Sequence, residues 1–513
     1  MLFTSWAFLL AFLPLTLAGF HLYARARDYR LALGWLIAAS CLFHALWNPV
    51  LLVVLLASIA TNARIGQALT RRPSTALLAL GVGANLATLG VFGYSGVFAD
   101  TLAVPTGIGL PTVEQLLPLG IPFFTLQQIG WLVDVRRGAR TGSLLEHALF
   151  ASFFPASIAG PIVRHAEIVP QFRRTEMGTH TARNLSVGSA FVAIGLFKKV
   201  VLADSVAPFA TPVFVLAETG TAPAFAEAWT GAIAFSLQLY FGFSGYSDMA
   251  IGLARLFGVV LPASFDSPYR SHAIIDFWHR WHMTLSRFLH DYLYVPFGGN
   301  GTGAGRTRAC LVLMLTLLLG GLWHGAAWTF LACGALHGVY LLINHAWRRR
   351  RRAATAPIRE RRLPWGQALT LLAVIVAWVP FRAETLSGAS GVLAAMAGLH
   401  GLDVPVALGP LAERINTFVG ATLLSADGAF PHRPFEPAAA LGWIVPLCAL
   451  ALFAPNSQQW LREQHPVLTA PRSPTGLAAR LVWRPTATGA VTVAALLLVA
   501  AWYPSGSGAF LVR

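Results

Sequence analysis

Along this chain, long apolar runs follow one another with little between them except short loops in which arginine is concentrated. Runs such as Leu311–Leu319 and Ala326–Ile343 lack the ten-residue alternation of a lipid-facing barrel strand. A segment crossing a bilayer must satisfy its backbone polar groups internally, so these runs read as helices. The 513 residues are 56% hydrophobic and only 11% charged, with a mean hydropathy of +0.62. The fold class that follows is all-α: a polytopic integral membrane protein, with residues 1–513 forming one multi-span domain.

At about twenty residues per crossing, the chain is expected to make roughly ten to thirteen spans, with re-entrant or interfacial helices besides. A first span at 2–20 reads as a retained helix and not a cleaved leader. The region to residue 60 crosses twice or re-enters, with a break near His44–Pro49, because Pro49 disfavours helix at Asn48. Spans are predicted at 76–98 and 112–132 around an arginine-free outer loop, 100–111, then at 185–203, 228–254, 309–321 and 325–346. Four more follow at 366–380, 388–400, 441–455 and 487–503, while 145–160 is short enough to be re-entrant. The segment 413–437 is polar enough to lie outside the membrane.

Charge orients the chain. Basic clusters at Arg25–Arg30, Arg64–Arg72 and Arg136–Arg140 mark cytoplasmic loops, and the strongest anchor is 347–365, with its run Arg348–Arg352. The net charge of +16 therefore has an explanation in topology; no soluble basic module is present, so nucleic acid is not expected as a partner. The four cysteines sit in apolar surroundings without pairing or ligand spacing and read as packing residues.

Two polar clusters interrupt the apolar pattern. In Gly320-Gly321-Leu322-Trp323-His324-Gly325, His324 lies between two apolar runs, at a depth where an ionisable group is costly and implies function. The glycines, Gly325 among them, would let backbone or substrate approach. Upstream, His279 and His282 are three apart, so on a helix they share a face with Asp276 and Ser286, flanked by Trp278 and Trp281. The bland reading of that stripe is an interfacial helix at headgroup level. Two His on one face can also hold zinc or iron, but no H-E-x-x-H or H-x-x-H-H box accompanies them, and no metal is expected. His337 follows His324 by thirteen residues, about 20 Å and some 140° round a continuous helix, and reads as a packing or supporting His outside the site.

Burial keeps an imidazole neutral and able to accept a proton, which suits His324 to act as a general base. No G-x-S-x-G nucleophile motif occurs, which favours direct transfer over an acyl-enzyme.

At these residues the chain resembles the membrane-bound O-acyltransferase family, in the bacterial branch of alginate O-acetylation proteins and teichoic-acid D-alanyl transferases. The resemblance covers most of 100–350 as the catalytic core. It is carried by Gly120–Gln127, Phe154-Pro155 with Ala159–Ile162, Tyr240–Gly252, Asp276–Asp291 and Leu322–Gly325, with Pro455-Asn456-Ser457 similar to a C-terminal feature of the family. It implies His324 as the catalytic His, His282 as its partner and Trp323 as a lining residue. It further implies the bacterial inner membrane and a tunnel joining a cytosolic acyl thioester, acetyl-CoA in the alginate branch, to an acceptor hydroxyl on an envelope or exported polysaccharide. No resident cofactor is expected. A separate periplasmic acetyltransferase is the implied partner, along with membrane lipid. The C-terminal Gly508–Arg513 is less aromatic than the alginate proteins lead one to expect. A transporter or polymer exporter, and a non-catalytic scaffold for a soluble acetyltransferase, are the other readings of a polar site at membrane depth.

Overall fold

Asn48 ends one helix and begins the next. Its backbone is extended, its side chain accepts a hydrogen bond from the Val50 N–H at 2.9 Å, and Pro49 stands at the first helical position. The predicted break is therefore a two-helix corner. The protein is seen in a computed structural model that describes residues 2–26, 28–106, 120–157, 160–172, 181–299, 305–354, 365–400, 402–403, 409–419, 424–425, 432, 435–469, 472–473 and 479–503.

The N-terminal layer comprises α1 (Leu13–Arg25), which continues a π-helical turn Phe8–Phe12, with α2 (Tyr29–Trp47), α3 (Pro49–Arg71) and α4 (Thr75–Thr106). Next come α5 (Ile121–Arg136) and three short helices, α6 (Leu144–Ser152), α7 (Phe154–Ser157) and α8 (His165–Phe172). The centre is α9 (Thr181–Phe197), running through a π-helical turn Lys198–Ala203 into α10 (Asp204–Glu218), packed with α11 (Phe225–Leu256). Two short helices, α12 (Ile274–Trp278) and α13 (Met283–Leu289), precede the hairpin of α14 (Arg306–His324) and α15 (Trp328–Ala354). The remainder is α16 (Gly366–Arg382), α17 (Leu386–Met396), α18 (Gly409–Val419), α19 (Pro437–Phe453), α20 (Ser457–Trp460) and α21 (Ala487–Trp502). Leu402–Asp403 and Leu424–Ser425 form a two-residue parallel bridge that leaves the all-helical class intact.

Among the described residues, seven helices are long and apolar enough to cross a membrane, and four shorter apolar helices, α16, α17, α19 and α21, stand beside them. The protein is a multi-pass membrane protein. The span expected at 185–203 does not end there, since helix continues from Thr181 to Glu218. The two lysines within this helix are paired inside the bundle: Lys198 Nζ lies 2.7 Å from Asp248 Oδ2, and Lys199 Nζ 2.7 Å from Asp204 Oδ2. Arg348–Arg352, expected in a loop, extend α15, where a cationic side chain suits both helix propensity and the negative end of the helix dipole. Residues 100–106, expected in the outer loop, continue α4, while 107–111, most of the rest of the expected 347–365 loop, much of 413–437 and the terminal residues 508–513 lie outside the described residues.

Helix α11 can sit at the centre because glycine lets α9 approach it. A β-carbon at Gly195 would stand 2.5 Å from the Gly245 carbonyl oxygen, and one at Gly252 would stand 2.6 Å from that of Gly188. Close backbone approach of this kind is a main source of helix association where no water is available to drive it.

Candidate active site

Helix α14 ends at His324 because Gly325 turns extended (φ 168°, ψ 159°) and the chain reverses through Ala326-Ala327 into α15. The Leu322 carbonyl at this helix end accepts both the Gly325 N–H, at 3.0 Å, and the Tyr94 hydroxyl. Gly325 packs against the Phe330 ring, which a β-carbon would approach to 2.4 Å. His324 thus sits at an interrupted helix in the apolar interior.

His282 comes from a second interruption. α12 stops at Trp278, and α13 begins after His282, whose φ of 40° and ψ of 52° put it in the left-handed region. Non-glycine residues rarely adopt that conformation unless their surroundings impose it. Two backbone bonds bracket the residue: Asp266 N–H to Arg280 O at 2.9 Å and Met283 N–H to Ser264 O at 2.8 Å.

Both imidazoles open on one cavity of about 50 Å³, walled mainly by Trp278, Trp281, Leu285, Leu317, Trp378 and Phe381. Trp323 links them, its ring centroid 6.2 Å from that of His282 and 4.9 Å from that of His324, with its Nε1–H donating to Pro122 O at 3.3 Å. His337 lines the same cavity, contrary to its expected place outside it. The expectation assumed one continuous helix; the reversal at Gly325 makes α14 and α15 antiparallel neighbours, with Gly334 and Gly338 against Leu317 and Met314, and His337 lines the cavity from further along the hairpin than His324. Its ring lies parallel to Phe277 and 5.0 Å from Trp278, and neither nitrogen finds a hydrogen-bond partner among the described residues.

The upstream stripe does not survive as one face, because the chain leaves the helix between Trp278 and Met283. His279 is exposed, away from the cavity. Ser286 donates to the Trp281 carbonyl at 3.3 Å and does not reach the cavity. Asp276 bonds to Arg280 at 3.0 Å and Arg472 at 3.1 Å, also outside it. Burial pushes the Asp276 carboxyl pKa up, but the bonds from Arg280 and Arg472 outweigh it and hold the value below the ordinary carboxylate range. The sequence reading missed Trp378 and Phe381, which close the cavity from α16. Two aromatic residues flanking Val379-Pro380 inside an apolar helix were the available signal.

The arrangement offers two imidazoles in an apolar, narrow enclosure, suited to proton transfer at a small reacting group. Among the described residues, no group of three or more His, Cys, Asp or Glu side chains is placed to hold a metal ion.

The pattern of the membrane-bound O-acyltransferase family (MBOAT) matches residues 132–381, which include His282, His324, His337 and both α16 aromatics. Over 440 residues the chain is 39% identical to the peptidoglycan O-acetyltransferase of Helicobacter pylori, covering 79% of this chain and 81% of that protein. It is 42% identical over 407 residues to the probable alginate O-acetylase of Azotobacter vinelandii, covering 77% and 78%. It is 27% identical over 266 residues to the teichoic acid D-alanyltransferase of Streptococcus thermophilus, covering 49% of this chain and 64% of that one. With such identity along most of two relatives and the family pattern across its centre, this chain belongs to the membrane-bound O-acyltransferase family and is a multi-pass acyltransferase.

Proposed function

We propose that the protein is an O-acetyltransferase of the bacterial inner membrane, moving an acetyl group from a cytosolic thioester such as acetyl-CoA to a hydroxyl of an envelope or exported polysaccharide. The acyl group reaches the polymer directly or through a periplasmic acetyltransferase, and the 347–365 segment faces the cytosol. The observation that carries this reading is the convergence of His282 and His324 on one apolar cavity. A water needs about 10–15 Å³, so about 50 Å³ accommodates a group of a few atoms and disfavours a long acyl chain. Relatives named for peptidoglycan, alginate and teichoic acid support an envelope or exported polymer as acceptor.

In this mechanism His324 accepts the proton of the acceptor hydroxyl as its oxygen adds to the thioester carbonyl. His282, its ring donating from the opposite wall, steadies the developing oxyanion. The intermediate collapses with cleavage of the C–S bond, and the departing thiolate takes the proton from the His324 imidazolium. Trp323, between the two rings, fixes their spacing; Trp278 and Trp281 exclude water.

The test compares O-acetyl content of envelope polysaccharides in wild type, a deletion strain, and His324→Ala at matched membrane levels. Loss in both mutants is expected. Loss in the deletion alone would assign a scaffold role, and unchanged acetylation in both would overturn the proposal.

A further inference from the structure

The loop that brackets the left-handed His282 is itself braced by residues beyond the family-matched region. Only three non-glycine residues among those described have positive φ: Ser267 at 48°, His282 at 40° and His465 at 44°. Ser267 lies in the loop 261–280, His465 lies in the segment 454–472 that docks onto it, and His282 follows the loop by two residues. Leu468 N–H donates to Leu261 O at 3.1 Å, Arg270 donates to Ala454 O, and Arg472 contacts Asp266 at 3.4 Å and Asp276 at 3.1 Å.

Asn456 is the most committed member of this junction. Its Oδ1 accepts Gln459 N–H at 2.8 Å and caps α20, leaving Nδ2 to donate to Asp266 Oδ1 at 2.8 Å and to Ser267 Oγ at 3.1 Å. Both amide hydrogens and the carbonyl are thereby used, and the side chain can sit only one way round. Its neighbour Ser457 bonds to Lys198 at 2.9 Å and to Asp248, which ties the start of α20 to the α9–α11 centre. From Asp266 the path to the site is one residue pair long: Asp266 N–H holds Arg280 O, two residues before His282, and Ser264 O holds Met283 N–H, one residue after it.

We infer that Asn456 is a positioning residue for the transfer reaction, holding Asp266-Ser267 so that the loop keeps His282 turned into the cavity. The inference rests on the proposed part of His282 in transfer. A ring displaced by about 1 Å from a productive geometry costs on the order of a hundredfold in rate. Substrate affinity has no comparable dependence on Asn456, which does not line the cavity.

Asn456→Asp preserves the helix cap, abolishes both donations and sets a carboxylate against Asp266. At wild-type membrane level its kcat should fall about tenfold or more, with KM for acetyl-CoA within about twofold, and hydrogen exchange of the Asp266 and Met283 amides should accelerate. The double variant Asn456→Asp with Asp266→Asn reverses donor and acceptor and should recover most of the lost kcat. An unchanged kcat in Asn456→Asp, unchanged exchange, or no recovery in the double variant would each overturn the inference. If Asn456→Asp does not reach the membrane, Ser267→Ala removes one acceptor alone; a smaller kcat loss supports the inference and wild-type kcat overturns it. His282→Ala separates the two claims. Full activity there sinks the proposed role of His282, while accelerated exchange in Asn456→Asp still reports the Asn456 contact.

Discussion

Gly321 of α14 faces the backbone of Phe330 on α15 so closely that a β-carbon at Gly321 would lie 2.4 Å from the Phe330 carbonyl oxygen. Backbone cannot swing aside as a flexible side chain can. Gly321→Ala is therefore expected to wedge the hairpin open, cost roughly 1–3 kcal/mol of stability, and lower activity by displacing His324 from His282. Thermal unfolding in detergent, read beside acetyl transfer at equal protein, checks it; a stable and fully active Gly321→Ala would contradict the packing.

His337 stacks against Phe277 and Trp378 with both nitrogens unpartnered in the cavity. His337→Phe keeps the aromatic packing and removes the polar atoms. Normal membrane levels with activity reduced about tenfold are expected if the nitrogens serve the reaction, the scale of a supporting proton-transfer or hydrogen-bond contribution. Wild-type activity would make His337 a packing residue.

Cys333 also lines the cavity and is buried in apolar surroundings, where a thiol behaves as an inert packing group. Cys333→Ala should retain transfer within about threefold, less than 1 kcal/mol of barrier. Abolished transfer, or acetyl trapped on Cys333 by mass spectrometry, would replace direct transfer with an acyl-enzyme.

Leu317→Ala widens the wall facing His282 and is expected to raise the propionyl-to-acetyl ratio of kcat/KM about tenfold, the low end of what one methylene is worth in an apolar pocket. An unchanged ratio would place chain-length selection elsewhere.

Asp276 has a pKa depressed by Arg280 and Arg472 against the opposing effect of burial. A carboxyl lowered in the folded state stabilises it at every pH above the ordinary carboxylate value near 4 and loses that contribution as pH falls through the depressed value. The pair is partly exposed, so the contribution is about 1 kcal/mol or less. Asp276→Asn should lower the unfolding temperature slightly at pH 7, with the deficit shrinking as the pH falls below about 4; equal stability throughout would show that the ion pairs contribute nothing.

The long apolar runs made the membrane class and most helices legible, and a single His between two such runs was enough to pick out His324. Periodicity failed wherever the backbone leaves the helix without proline to announce it. Nothing local marks His282 as left-handed, since that conformation comes from Ser264 and Asp266 far back in the chain, so His279 and Ser286 were placed on a face that does not exist. The same blindness put His337 on the wrong side, although Gly325 was in view. The partners of Lys198 and Lys199, Asp248 and Asp204, become visible only once α9, α10 and α11 are packed.

The docking of 454–472 onto 261–280 changes what counts as the smallest working unit. A polypeptide cut after residue 381 would carry every matched family position and all three cavity histidines, yet would leave Asp266 and Ser267 without the side chain that grips them. Such a fragment is an enzyme with its instruments and no bench, and the distance in sequence between Asn456 and His282 measures how much chain is needed to hold one imidazole still.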